Sequence, residues 1–488
     1  MSGVGNRAAI LTLSRIANYG LMMVSPIILV RLLSVEQFGH YREFLLYVSV
    51  LQSIALFSIN HSLLYCIPAQ PRSRWRTVRQ TAILIACSSV LVVGLTAAID
   101  AASGGRVIGP LLLPVCAFTL VSTNLDFWDY YWVATERPGL VLAYSSVRLA
   151  ARVVVAVVVA ALTHRVLIII WALVALEGLR LALTMVAFLI ADKSATEPPL
   201  AEPWREQLRY CLPSGIAWVL STCNRNIGAI AVVKVLGAAP LAEYSIGKYG
   251  EPVVVTLRSS VSGVLLPEMV KRGRGSRQAS IGLWQRATVV NAIMLFPVAV
   301  LLTRYARPLV ATVFGASYVS AALVLQIYML IVIREVFDFA PALRALNRNR
   351  PLVESSVASL IVSAALLVPL VPAAGIAGAM LAIAIGTLVD AGWLAYRTST
   401  AYQLSLRHLV PWGGVGKTAA AALLAGAILA TSAWTQMLGF GGIVLAGAAY
   451  VALFTLLVLA LRVPEAYELI GWLRRLVPSR AASPSRRT

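Results

Sequence analysis

Residues 30–44, VRLLSVEQFGHYREF, decide how this chain is read. They set Arg31, Glu36, His40, Arg42 and Glu43 between two long apolar runs. So short an interruption cannot fold as a domain, and it predicts a hairpin between two membrane helices. Composition agrees. Of 488 residues, 59% are hydrophobic and 12% charged, with a mean hydropathy of +0.82. A soluble domain carries about twice that charge fraction. Apolar runs of roughly 20 residues match a helix crossing a hydrocarbon core about 30 Å thick. An all-α polytopic membrane protein is therefore expected.

Fourteen runs have this character, at about 8–33, 44–66, 80–99, 107–133, 141–163, 166–191, 210–233, 249–270, 284–303, 317–342, 352–370, 376–396, 418–437 and 440–461. The net charge of +21 would suit nucleic acid only if the basic residues formed a surface for it, so their location decides. Of 41 Lys and Arg, 26 fall on the side of the N-terminus, eight on the opposite side and seven inside spans. PRSRWRTVR, KRGRGSR, RALNRNR and the tail WLRRLVPSRAASPSRRT carry the excess. This positive-inside pattern predicts both termini in the cytoplasm, with attraction to anionic membrane lipids rather than to nucleic acid. The run after Arg7 is too long for a signal peptide and has no small-residue cleavage site behind it. Cys66, Cys87, Cys116, Cys211 and Cys223 have unrelated spacings, which suggests neither a zinc site nor a disulfide framework, and no cofactor is expected.

The opening stretch has a counterpart 203 residues on. VKVLGAAPLAEY, residues 233–244, pairs without a gap against VRLLSVEQFGHY, matching Val30 with Val233, Arg31 with Lys234, Leu33 with Leu236, Ser34 with Gly237 and Tyr41 with Tyr244. Each stretch follows the first span of a six-span block. The expected organisation is a six-helix lobe over 1–191, a linker rich in Pro and acidic residues over 192–208 and a second six-helix lobe over 209–397. A connection with two extra helices over 398–461 and a basic tail over 462–488 complete it. Parallel repeats of this kind describe two lobes related by an axis along the membrane normal, with a substrate path between them.

This six-plus-six-plus-two layout resembles the polysaccharide-unit flippases of the multidrug/oligosaccharidyl-lipid/polysaccharide exporter superfamily. The hairpin pattern R/K-x-L-S/G-x3-F/L-G/A-x-Y is similar to theirs, as are the FG-x-x-Y turn in LVATVFGASYVSAALVLQI (309–327) and the polar turn RALNRNRP (344–351). The resemblance implies an inner-membrane flippase for surface polysaccharide biosynthesis. Its substrate would be an undecaprenyl-diphosphate-linked oligosaccharide, moved from the cytoplasmic to the periplasmic leaflet, with glycosyltransferases and a polysaccharide polymerase as associated activities. It implies no catalytic residues, because no covalent bond is broken.

Seven arginines lie inside spans: Arg15, Arg148, Arg152, Arg180, Arg225, Arg258 and Arg334. Arg180 follows Glu177 by three residues and Arg334 precedes Asp338 by four, so each pair shares a helix face. The other five lack a close carboxylate on their own helix. Uncompensated, they would cost roughly 12–18 kcal/mol on insertion scales. They therefore line water or meet acids from other helices. Lining water, they would suit an anion, since guanidinium forks match diphosphate oxygens. Arg15, Arg258, Arg148, Arg152 and Arg225 are the candidate substrate-binding cations, and Arg15 and Arg258 also match the family's placement of cations in its first and eighth spans. DFWDYYW (126–132) offers Trp128 for stacking a sugar and Asp126 and Asp129 for hydroxyls or a coupling cation, or else an interfacial aromatic belt. Asp390 and Glu251 are lone acids in spans, with ion coupling or a structural role open to them.

GGVGKTAAAALL (413–424) imitates a phosphate-binding loop, but that motif needs G-x-x-x-x-G-K-S/T and Pro411 stands at the first position. ATP is not an expected partner. Two other readings are open. A cation-coupled multidrug exporter of the same superfamily tends to carry acids in a lobe's cavity, where this first span has Arg15 and no acid. A polymerase or ligase usually presents a sizeable exoplasmic loop, and this chain offers only HR at 164–165 and RYARP at 304–308.

Overall fold

The computed structural model describes residues 20, 23–69, 71–191, 196–198, 204–273, 276–430 and 439–468, and every regular element among them is helical. The opening hairpin is tighter than its polarity suggested. Helix α1 (Met23–Leu32) gives way at Leu33 and Ser34 to α2 (Val35–Leu56). Ser34 is extended, and its hydroxyl accepts the Gln37 amide at 3.2 Å, an N-cap that starts the helix at once. Glu36, His40, Arg42 and Glu43, expected in a loop, thus ride the first turns of α2. There Glu36 faces the positive end of the helix dipole, and Glu43 takes both His40 Nδ1 (3.1 Å) and the Tyr47 hydroxyl (3.2 Å).

The same turn recurs at the repeat. Helix α3 (Leu63–Ala69) follows a bend after α2; next come α4 (Arg74–Ala102), α5 (Leu112–Thr123), α6 (Trp128–Ala134), α7 (Pro138–Thr163) and α8 (Val166–Ala191). Helix α9 (Trp204–Leu236) then stops at Gly237, and α10 (Ala238–Gly247) begins. Gly237 holds φ 98°, open to glycine and strained for any side chain, so Ser34 and Gly237 start their helices at matching repeat positions by different means. Tyr41 and Tyr244, paired in the sequence repeat, are both buried. Helices α2 and α10 pack directly against each other: a Cβ built on Gly39 would lie 2.0 Å from the Ala238 carbonyl oxygen.

The described helices fall into two compact units. The first takes the described residues up to 249, with 313–321 and 360–383. Its core gathers Ile59, Leu63, Trp75, Ile85, Phe127 and Trp128. Asp100, at the end of α4, fixes the next turn by accepting the amides of Val107, Ile108 and Gly109 at 3.1, 2.7 and 3.3 Å.

The second unit takes the described residues among 250–312, 322–359 and those from 384 onward. It holds α11 (Glu251–Gly273), most of α12 (Arg277–Val313), α13 (Ala321–Glu335) and α14 (Ala340–Ala345). The two ends of α15 (Arg350–Tyr402), α16 (Leu406–Leu409), α17 (Trp412–Ala430) and α18 (Gly439–Ala460) complete it. Trp284 centres its core, stacked on Phe339 at 5.0 Å with Nε1 donating to the Asp338 carbonyl at 2.6 Å.

Among the described residues nine helices are long and apolar enough to cross a membrane, and the bent pair α2 and α3 makes a tenth. Every expected span meets a helix there. Helix α15 supplies two, because 53 residues would reach about 80 Å, far beyond one bilayer. Gly375, at φ 57° and ψ −137°, breaks it. The chain then folds back, so that a Cβ on Gly378 would lie 1.9 Å from the Leu370 carbonyl oxygen. Residues 413–418, the nucleotide-loop mimic, are helical within α17, and Gly414 packs on Val289.

Replacing Gly39 with Val forces α10 off the α2 backbone. A loss of about 1–3 kcal/mol is expected from such overpacking, read as a lower Tm in detergent. Gly282→Ala, whose added carbon meets nothing within 4 Å, should leave Tm unchanged or raised.

Candidate functional site

Helix geometry puts Arg148 and Arg152 one turn apart on α7, as their spacing predicted, with no carboxylate on that stripe. Their partners come from other helices. Arg148 reaches Asp126 with Nη1 and Asp129 with Nη2, both at 3.2 Å. Arg152 Nε meets Glu177 Oε1 at 2.5 Å, and Arg180 Nη2 meets Glu177 Oε2 at 2.7 Å. The pairing of Arg180 with Glu177, expected from the sequence, is therefore present but shared. Glu177 is only 1% exposed, so one buried carboxylate holds two guanidiniums. The Tyr144 ring lies under Arg148 (5.8 Å) and Arg180 (5.6 Å), and Phe118 lies under Arg152 (5.3 Å). Three cations face three anions, so the cluster is neutral in sum.

A second cluster forms within the other unit. Arg258 on α11 meets Glu335 at 2.8 Å and Asp338 at 3.7 Å, and the Ser262 hydroxyl donates to Asp338 at 2.7 Å. Arg334 pairs with Asp390 of α15 and with Glu335 at 3.3 Å. The expected pairing of Arg334 with Asp338 does not form. Helix α13 ends at Glu335, so the four-residue spacing no longer keeps the two on one face, and Asp338 goes to Arg258 instead. Asp390 is thus an ion-pair partner. Glu251 opens α11, where a carboxylate favours the positive helix end.

The aromatic stretch DFWDYYW divides by direction. Trp128 is buried, edge-on to Tyr131 at 5.6 Å and close to Phe188, which leaves no open ring face for a sugar. Trp132 packs on Tyr144 at 4.8 Å. Tyr130 turns instead to the segment between α2 and α3, its hydroxyl 2.8 Å from His61 Nε2.

Arg225 differs from the other described candidates. It is exposed on α9, and among the described residues it has no carboxylate within ion-pair reach. Its guanidinium lies 5.9 Å from the centre of the Trp218 ring, and its carbonyl accepts Lys248 Nζ at 3.2 Å. Tyr210, Ser214, Trp218, Ser221 and Arg225, all exposed, follow i, i+4, i+8, i+11 and i+15 along one face of that helix. The sequence reading isolated Arg225 but missed Trp218, whose signal was this seven-residue spacing. Arg15 lies outside the described residues.

The fold is that of a solved structure titled "Lipid II flippase MurJ, inward closed conformation", with a TM-score of 0.62 over 95% of this chain and 99% of that one at 14% identity. A multidrug resistance MATE family transporter of the MOP superfamily, in an inward-facing conformation, aligns with a TM-score of 0.48 and 14% identity over 80% of this chain and 96% of that one. No curated protein matches in sequence. The model of one family, described as polysaccharide biosynthesis protein, matches residues 28–323, which is 296 of 488. The chain, a multi-pass membrane protein by its helices, belongs to the polysaccharide biosynthesis protein family.

Proposed function

We propose that this protein is a flippase moving undecaprenyl-diphosphate-linked oligosaccharides across the bacterial inner membrane by alternating access. Its termini are cytoplasmic, and its two six-helix lobes cover 1–191 and 209–397. It breaks no covalent bond and draws on an ion gradient, the membrane potential or substrate supply rather than ATP. Glycosyltransferases build its substrate and a polymerase consumes its product. The family it belongs to and its likeness in fold to a lipid II flippase support this reading.

The observation that carries it is the charge of Arg225, unmatched among the described residues. A cation in mid-span costs roughly 2.5–3.5 kcal/mol on insertion scales unless it is hydrated or paired. Arg225 shares its helix face with Ser214 and Ser221, a surface that suits water better than lipid tails. A wet guanidinium at that depth offers the forked donors that a diphosphate needs. Arg15 joins it as a second cation of the first span. Arg148, Arg152 and Arg258 are already neutralised by carboxylates, and their role in this scheme is to tie helices together.

The two classes of arginine separate by experiment. Arg225→Ala, expressed at the wild-type level in a deletion strain, is expected to cut polysaccharide export about tenfold or more, the scale of one lost charge-assisted contact. Its Tm should stay at the wild-type value, and Arg225→Lys should retain part of the export. Undiminished export from Arg225→Ala would remove it from the mechanism. Glu177→Ala acts differently: it strands Arg152 and Arg180, and breaking a buried pair this way costs about 3–5 kcal/mol. Low membrane levels and a reduced Tm are the expected readout.

A further inference from the structure

At the end of α2, Phe57 and Ser58 both take left-handed backbone, with φ of 41° and 58°, and the chain bends by 51° before α3. The bend presents His61 and Tyr65, one helical turn apart. Helix α9 crosses here because Gly215 has no side chain; a Cβ there would lie 2.5 Å from the Phe57 ring. Buried Gln207 pins the crossing, its Nε2 donating to Ser62 Oγ (2.7 Å) and Thr81 Oγ1 (2.8 Å) while its Oε1 accepts Gln80 (2.7 Å).

These constraints assemble open aromatic rings. Tyr65 and Tyr210 stack with centroids 4.8 Å apart and planes 14° off parallel, yet they remain 48% and 50% exposed. His61 lies 4.5 Å from the Tyr130 ring and 5.7 Å from Trp218, which is 42% exposed. We propose that Tyr65, Tyr210, His61, Tyr130 and Trp218 form a saccharide platform on which the substrate's sugar rings stack, with Arg225 at its deeper end for the diphosphate. This rests on the flippase reading.

Two features favour a glycan over an interfacial aromatic belt. A belt holds its rings at one depth. Here Tyr210 and Trp218 are eight residues apart, about 12 Å along the helix, and Arg225 lies about 10 Å further on. The stripe also alternates rings with the hydroxyls of Ser214 and Ser221, whereas lipid would face aliphatic side chains. Ring faces with a few placed polar groups are the usual lining of a small-molecule site.

Equilibrium dialysis of the purified full-length chain against two probes tests this. One probe is undecaprenyl diphosphate; the other is the free oligosaccharide released by mild acid from the lipid-linked pool of the source strain. The double variant Tyr210→Leu, Trp218→Leu is expected to retain the oligosaccharide about tenfold less well, the loss typical of truncated aromatic anchors, with the diphosphate unaffected. Arg225→Ala should reverse that pattern, and Trp218→Phe, which keeps a ring, should retain more oligosaccharide than Trp218→Leu. Undiminished oligosaccharide retention by the double variant at wild-type Tm makes the rings a belt and overturns the inference. A wild type that holds the diphosphate but no oligosaccharide overturns it alone, and one that holds neither overturns the flippase reading as well.

Discussion

Hydrocarbon tolerates no unmatched charge, and that constraint organises this protein. Each of five described span arginines, Arg148, Arg152, Arg180, Arg258 and Arg334, ends on a carboxylate, in most cases one carried by another helix. The carboxylates are shared: Glu177 pairs with two guanidiniums, as does Glu335. Such clusters act as fixed points, since separating their helices would leave ions stranded in a low dielectric. What stands apart from the pattern is then informative, and Arg225 stands apart.

Much of this was legible in the sequence. The all-helical, membrane-crossing character followed from apolar runs, and the hairpin repeat followed from a 203-residue offset that holds in three dimensions at Ser34 and Gly237. The expected helix start of the second span came too late, because polarity near 36–43 outweighed the capping signal of Ser34 and Gln37. The false pairing of Arg334 with Asp338 arose from assuming that a helix continued past Glu335, where α13 ends. Helical spacing speaks only for partners on one helix, so Asp126 and Asp129 could be suspected for Arg148 but not assigned.

The aromatic platform was hidden for a different reason. It depends on two consecutive left-handed residues, Phe57 and Ser58, and on a crossing at Gly215, none of which periodicity reports. DFWDYYW drew attention to Trp128, which the core absorbed, while Tyr130, two residues on, turned outward to His61. A stretch dense in aromatic rings serves several masters at once, and only packing tells which ring serves which.

The backbone contact between Gly39 and Ala238 has an evolutionary consequence. These residues stand in the hairpins of the two sequence repeats, so each copy of the motif confines the other. Drift toward bulk at position 39 needs a compensating shift around 238, and the duplicated segments cannot diverge freely where they touch. Paired variation at these two sites, rather than strict identity at either, is the mark such a contact leaves on a lineage.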